Sequence, residues 1–143
     1  MAVAAFSHFS AVSELFVTAG VFYFFRRALR WDDYRWTFIS IVIAFETLVN
    51  IVYMISRLAA AEPRGEHPAA LTWLLAGHGT LSLLMFLGLV AFVMIAFRAA
   101  KVDRANLFRA NPVLTWTFLG LWTLSVLTGE ALYALQIAGA LQL

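Results

Sequence analysis

The chain has 143 residues, 63% of them hydrophobic and 13% charged, with a formal net charge of +2 and no cysteine. A soluble domain carries roughly 25% charged residues, so this deficit of polar surface makes a bilayer the expected solvent. The absence of cysteine excludes disulfides, thiolate metal ligands and thiol catalysis, and the pI of 9.4 carries no nucleic-acid signal because the basic residues lie in loops beside apolar segments.

Four apolar segments follow, each long enough to cross about 30 Å of hydrocarbon at 1.5 Å per residue. They run over about residues 4–25, 36–55, 71–97 and 113–141. Each must be helical, since lipid offers no partner to a free backbone N–H or C=O. RRALRWDDYR (26–35) ends the first, AEPRGEHP (61–68) separates the second from the third, and RAAKVDRANLFRANP (98–112) separates the third from the fourth. Pro112 suits the first turn of the last helix. Trp31, Trp36, Trp73 and Trp116 fall near the expected membrane interfaces. No basic n-region precedes the first apolar run, so the first helix is expected to act as its own insertion signal.

Orientation follows from the arginines and lysine. Arg26, Arg27, Arg30 and Arg35 lie in the first loop, and Arg98, Lys101, Arg104 and Arg109 in the third. The second loop region has only Arg57 and Arg64. The first and third loops are therefore expected to be cytoplasmic. The expected fold class is all-α: a single integral membrane domain over 1–143, built as an antiparallel up-down four-helix transmembrane bundle with both termini on the non-cytoplasmic side.

Each segment carries one ionisable residue in its interior: Glu14, Glu46, His78 and Glu130. A charge in hydrocarbon costs at least a few kcal/mol, so such residues face the bundle interior and mark function. Measured from the outer end of each helix, the three glutamates fall at roughly 13 to 15 Å and His78 at roughly 9 Å. All four are thus expected in one layer of the outer half of the bilayer. Helical spacing extends that polar face: Ser7, Ser10, Glu14 and Thr18; Glu46, Asn50 and Tyr53; His78 and Ser82; Thr123, Glu130 and Tyr133. Gly77 and Gly79 flank His78, where they would permit close approach of a helix or a flat cofactor.

Several readings suit this layer. Polar glue would hydrogen-bond the carboxyls to His78, Asn50 and the tyrosines, holding the helices together. A metal site would use Glu14, Glu46, His78 and Glu130 as ligands to iron, copper or zinc, with Asn50 and Tyr133 orienting them. Glutamates and histidine from four helices are the donors of carboxylate-bridged centres, although the Glu-x-x-His pair of ferritin-like proteins is absent. A haem site would take its axial imidazoles from His78 and His8, with Arg57 near a propionate. A proton or ion path is the fourth. Glu62, Glu66 and His67 read as solvated loop residues. No phosphate-cradling loop, nucleophile elbow or H-E-x-x-H motif is present, so catalytic residues are not assigned and enzymatic activity is left open.

LAGHGTLSLLMFLGLVAFVMIAFRA (75–99), a basic loop, and PVLTWTFLGLWTLSVLTGEALYAL (112–135) together resemble the CtaM-like small four-helix bacterial membrane proteins. His78, Trp122, Thr128, Gly129 and Tyr133 stand at the positions that carry the likeness. That family is linked to assembly of haem-copper oxidases. The resemblance implies a bacterial inner-membrane protein tied to a respiratory or other membrane redox complex, with metal or haem chemistry. Asp103-Arg104 stands where that family has a His-Arg pair, and Glu130 after Thr-Gly is a further departure. The leading expectation is binding of a metal ion or cofactor. The alternatives are a non-catalytic subunit of a larger membrane complex and a proton-coupled carrier. Expected partners are membrane lipids and other membrane subunits or further copies of the chain, with no nucleic acid.

Overall fold

The computed structural model describes residues 2–59 and 69–138, with side chains over 8–56 and 73–138. Its elements are α1 (Ala2–Trp31), α2 (Trp36–Ala59), α3 (Ala69–Arg98), a π-helical turn (Ala99–Asp103), a short α4 (Leu107–Ala110) and α5 (Pro112–Ile137). The described residues include no strand. Helices α1, α2, α3 and α5 are long and apolar enough to cross a membrane, so the chain is an integral membrane protein. Residues 61–68, with Glu62, Glu66 and His67, and the side chain of Arg57 lie outside the described residues.

The first helix runs six residues past its expected end at 25. RRALRW contains only residues that a helix accepts, so it continues until Asp32 adopts a left-handed φ of 57°. The turn at 32–35 is held by Asp33, which accepts from Arg27, whose Nε lies 3.1 Å from Oδ2, and from Arg35 Nε at 3.0 Å. The hydrogen bond from Arg27, reinforced by Arg35, holds the Asp33 carboxyl below its ordinary value. Tyr34 stacks on Trp36 with centroids 4.7 Å apart. Burial, with Asp32 adding to it, pushes the Tyr34 phenol up to about 12.

The segment 98–112, expected as a plain connection, is structured and docks onto α1. Arg104, at φ 51°, ends the π-helical turn. Asn106 caps α4 by accepting from the Phe108 and Arg109 amides, both at 3.1 Å. Its amide nitrogen donates to Ala28 O at 2.8 Å and Asp32 Oδ1 at 2.7 Å, and Arg109 Nε donates to Leu29 O at 2.6 Å. The last carbonyls of a helix lack intrahelical donors, and here α4 supplies two of them from across the chain.

That docking places Phe108 in the core. Its ring is fully buried against Phe24, Phe25 and Phe92, at centroid distances of 5.9, 4.7 and 5.2 Å. Val21, Leu89, Phe118 and Trp122 extend the same cluster. All lie toward the end of the bundle that carries the 32–35 and 98–111 connections. Trp122 Nε1 donates to Thr18 Oγ1 at 3.2 Å across the α1–α5 contact. Helix α1 packs on α2 and α5, and α3 on α5, whereas α2 and α3 make no extensive mutual contact among the described residues. Aromatic bulk thus fills one end. At the other end the four long helices stand around a cavity. Trp31, Trp73 and Trp116 are exposed, as side chains at a membrane interface are, while Trp36 packs inward onto Tyr34 and the core.

Candidate functional site: an acidic intramembrane chamber

The cavity measures about 620 Å³, within the size range of small-molecule sites. Glu14 from α1, Glu46 from α2, His78 from α3 and Glu130 from α5 all line it, each half-buried. Asn50 and Tyr133 join them. The four ionisable residues expected in one layer, with Asn50 and Tyr133 from the same polar faces, therefore line one cavity. Three carboxyl groups face this space and no lysine or arginine lines it among the described residues. A cation or a hydrogen-bond donor would complement that wall.

Helix geometry positions each group. Glu46 and Asn50 are one turn apart on α2, and Asn50 Nδ2 donates to Glu46 Oε1 at 2.9 Å. Glu130 Oε1 is shielded and has no hydrogen-bond partner among the described residues, so it has unused acceptor capacity in the chamber wall. Thr128 Oγ1 donates to Ser125 O at 2.8 Å and lies 3.0 Å from His78 Nδ1. A hydroxyl has one proton, and Thr128 gives it to the Ser125 carbonyl. With that proton on Ser125 O, the His78 contact has Nδ1–H as its donor and Nε2 carries the lone pair; in the other tautomer Thr128 donates to Nδ1 instead.

Gly129 lies against the Cε1–Nε2 edge of the same imidazole. A β-carbon at residue 129 would meet His78 Cε1 at 2.8 Å, His78 Nε2 at 3.2 Å and Glu14 Oε2 at 3.4 Å. The imidazole of α3 and the carboxyl of α1 thus approach the same bare patch of α5. The close approach expected at Gly77 and Gly79 is absent: nothing described comes within 4 Å of a β-carbon at either position. The helix contact of α3 with α5 brings Gly129, not the glycines beside His78, under the imidazole.

The remaining expected residues are placed differently. His8 is exposed near the N-terminal end of α1, and its Nδ1 is hydrogen-bonded to the Tyr133 hydroxyl. Its ring meets Tyr133 edge-on at 5.3 Å. His8 does not line the cavity, so Tyr133 holds His8 as well as contributing to the chamber wall. Thr18 serves the Trp122 bond and Thr123 donates to Leu119 O at 2.8 Å. Among the described residues no three His, Asp or Glu side chains come close enough to hold one metal ion. Ser13 and Gln136 line the chamber without having been expected. Gln136 was legible, because Glu130, Tyr133 and Gln136 continue one i, i+3, i+6 row on α5.

No family model, curated protein or solved structure matches the chain.

Proposed function

We propose that this is an antiparallel up-down bundle of the bacterial cytoplasmic membrane, with both termini on the non-cytoplasmic side, that binds a cofactor in its acidic chamber. Eight of the ten basic residues lie in the two connections at the aromatic-packed end or in the last turns of α1 that lead into them, which supports a cytoplasmic location for that end. The chamber then opens in the outer half of the bilayer.

The observation that carries the cofactor reading is the orientation of His78. Metal-ligating histidines donate one ring N–H to a neighbour, which fixes the tautomer and directs the other nitrogen at the metal. The contacts of His78 suit that arrangement: Nδ1 is engaged by Thr128, and the Nε2 edge lies over Gly129, which Glu14 also approaches. His78 would be the nitrogen donor, and Glu14, which approaches the same patch of α5, an oxygen donor. Glu46, held by Asn50, and Glu130, with its unpartnered oxygen, supply negative charge and acceptors around the rest of the wall. With no three side chains converging on one point, a metal here brings further ligands of its own. A cofactor carrying iron, copper or zinc, haem included, fits this better than a bare ion. The likeness of 75–99 and 112–135 to CtaM-like proteins supports a connection to a respiratory or other membrane redox complex.

His78→Ala is expected to lose the bound group while Glu46→Gln retains it, read as metal per protein after purification without chelator. Equal retention in the two variants would remove His78 from the site. The Glu46–Asn50 bond within α2 favours a second reading, a non-catalytic subunit whose glutamates are structural hydrogen-bonders. In that case Glu→Gln at positions 14, 46 and 130 together leaves assembly with the partner subunits intact, because the amide keeps shape and hydrogen-bonding capacity.

A further inference from the structure

A second cleft, of about 780 Å³, lies between α1 and α5 at the aromatic-packed end, away from the chamber. Its walls include Phe22, Phe25, Trp116 and Leu119, and Arg26 and Arg30 line it as well. The two arginines are one helical turn apart, so they stand on one face of α1 and repel each other. Among the described residues the ion pairs of this region go to Arg27 and Arg35, both with Asp33. Arg26 and Arg30 instead lie over the Trp31 ring, at 5.8 and 5.3 Å from its centroid. Their charge is therefore uncompensated by any described carboxylate. From Phe22 to Arg30 the helix rises ~12 Å, which gives an apolar slot running from the guanidiniums toward the middle of the bilayer.

We propose that this cleft is a binding site for an anionic phospholipid. One acyl chain lies along Phe22, Phe25 and Leu119, and the phosphate is held between Arg26 and Arg30. Guanidinium groups bind phosphate through paired N–H donors. Basic pockets between transmembrane helices are suited to acidic head groups. The exposed Trp116 ring lies near the start of α5, where an aromatic side chain at the lipid interface would stand. A free phosphate ion would satisfy the arginines and leave the slot unused. A phosphatidylcholine would fill the slot but bring a trimethylammonium group toward two guanidiniums. The charge and the slot together select a lipid with net negative charge. The proposal rests on the membrane location of the chain and not on what the chamber binds.

The test is native mass spectrometry of the full chain, released from detergent containing equal amounts of phosphatidylglycerol and phosphatidylcholine with identical acyl chains. Wild-type protein is expected to retain phosphatidylglycerol over phosphatidylcholine by roughly tenfold or more, given about 1 kcal/mol for each basic residue at an anionic surface. Arg26→Gln with Arg30→Gln should bring that ratio close to one. Arg98→Gln with Arg104→Gln removes equal charge from the other connection and should leave it unchanged. Equal retention of both lipids by the wild type, or equal loss in the two double variants, would overturn the site. A thermal melt of the wild type needs no variant to fold. Phosphatidylglycerol should raise the midpoint and inorganic phosphate should not, and equal protection by phosphate would reject the lipid.

Discussion

Between Gly129 of α5 and His78 of α3 there is no room for a methyl group. Gly129→Ala would place a β-carbon 2.8 Å from His78 Cε1, so the imidazole must move or α3 and α5 must part. The expected cost is about 1 to 3 kcal/mol, as for other overpacked sites, measured as reduced resistance to unfolding in detergent. The ligand assignment expects nitrogen NMR of wild-type protein labelled at histidine to find His78 as the Nδ1–H tautomer, with the Thr128 proton on Ser125 O. An Nε2–H tautomer would contradict the orientation on which the ligand assignment rests. At this scale the sequence was informative where chemistry is rare. Glu14, Glu46, His78 and Glu130 were legible because ionisable groups in hydrocarbon are costly. Gly129 was not, because a glycine records only that space is needed, and Gly77 and Gly79 offered the same signal. Which of them meets the neighbouring helix depends on rotations about helix axes. Those are hard to read when core and lipid are both apolar and little amphipathic contrast exists.

Among the elements, the segment between α3 and α5 departs most from expectation. Asn106 combines the cap of α4 with two bonds to the end of α1. Asn106→Ala is expected to destabilise the fold by about 1 to 2 kcal/mol, at the upper end of the range for a lost N-cap, as read from unfolding in a denaturing detergent. Arg104, at φ 51°, pays for a left-handed conformation that glycine adopts freely. Arg104→Gly should stabilise, or at least be neutral, by up to about 1 kcal/mol in the same assay. Asp33 gives the pH dependence. Its carboxyl is held below its ordinary value, first by the hydrogen bond from Arg27. The corresponding stability is present in full above the ordinary carboxylate value and is lost as pH falls through the lower, folded one. Asp33→Asn should flatten the acid limb of a stability profile, and an unaltered limb would show that the turn contributes nothing there. The long helices were legible from apolar length alone, while their ends were not. RRALRW can be either loop or helix until Asp32 and the docking of α4 decide it.

The molecule as a whole is asymmetric along the membrane normal. Phenylalanine rings and a docked short helix close the end that carries the basic connections, and an acidic chamber occupies the other end. The aromatic-packed end is also the end that carries most of the basic residues, from which its cytoplasmic location is proposed. Since the chain has no cysteine, Val102→Cys, at a side chain 71% exposed beside the π-helical turn, gives a unique label. An impermeant maleimide should reach it in inverted membrane vesicles and not in intact cells, and the reverse pattern would turn the bundle over. The central claim is that the chamber holds a cofactor through His78. Its most direct test is elemental analysis of detergent-purified wild-type protein prepared without chelator, with an absorption spectrum of the same sample. The expected result is iron, copper or zinc in a fixed ratio to protein, accompanied by a Soret band if the group is haem. Protein free of metal and of visible absorption would contradict the claim and leave the chamber as hydrogen-bonded packing within a larger membrane complex.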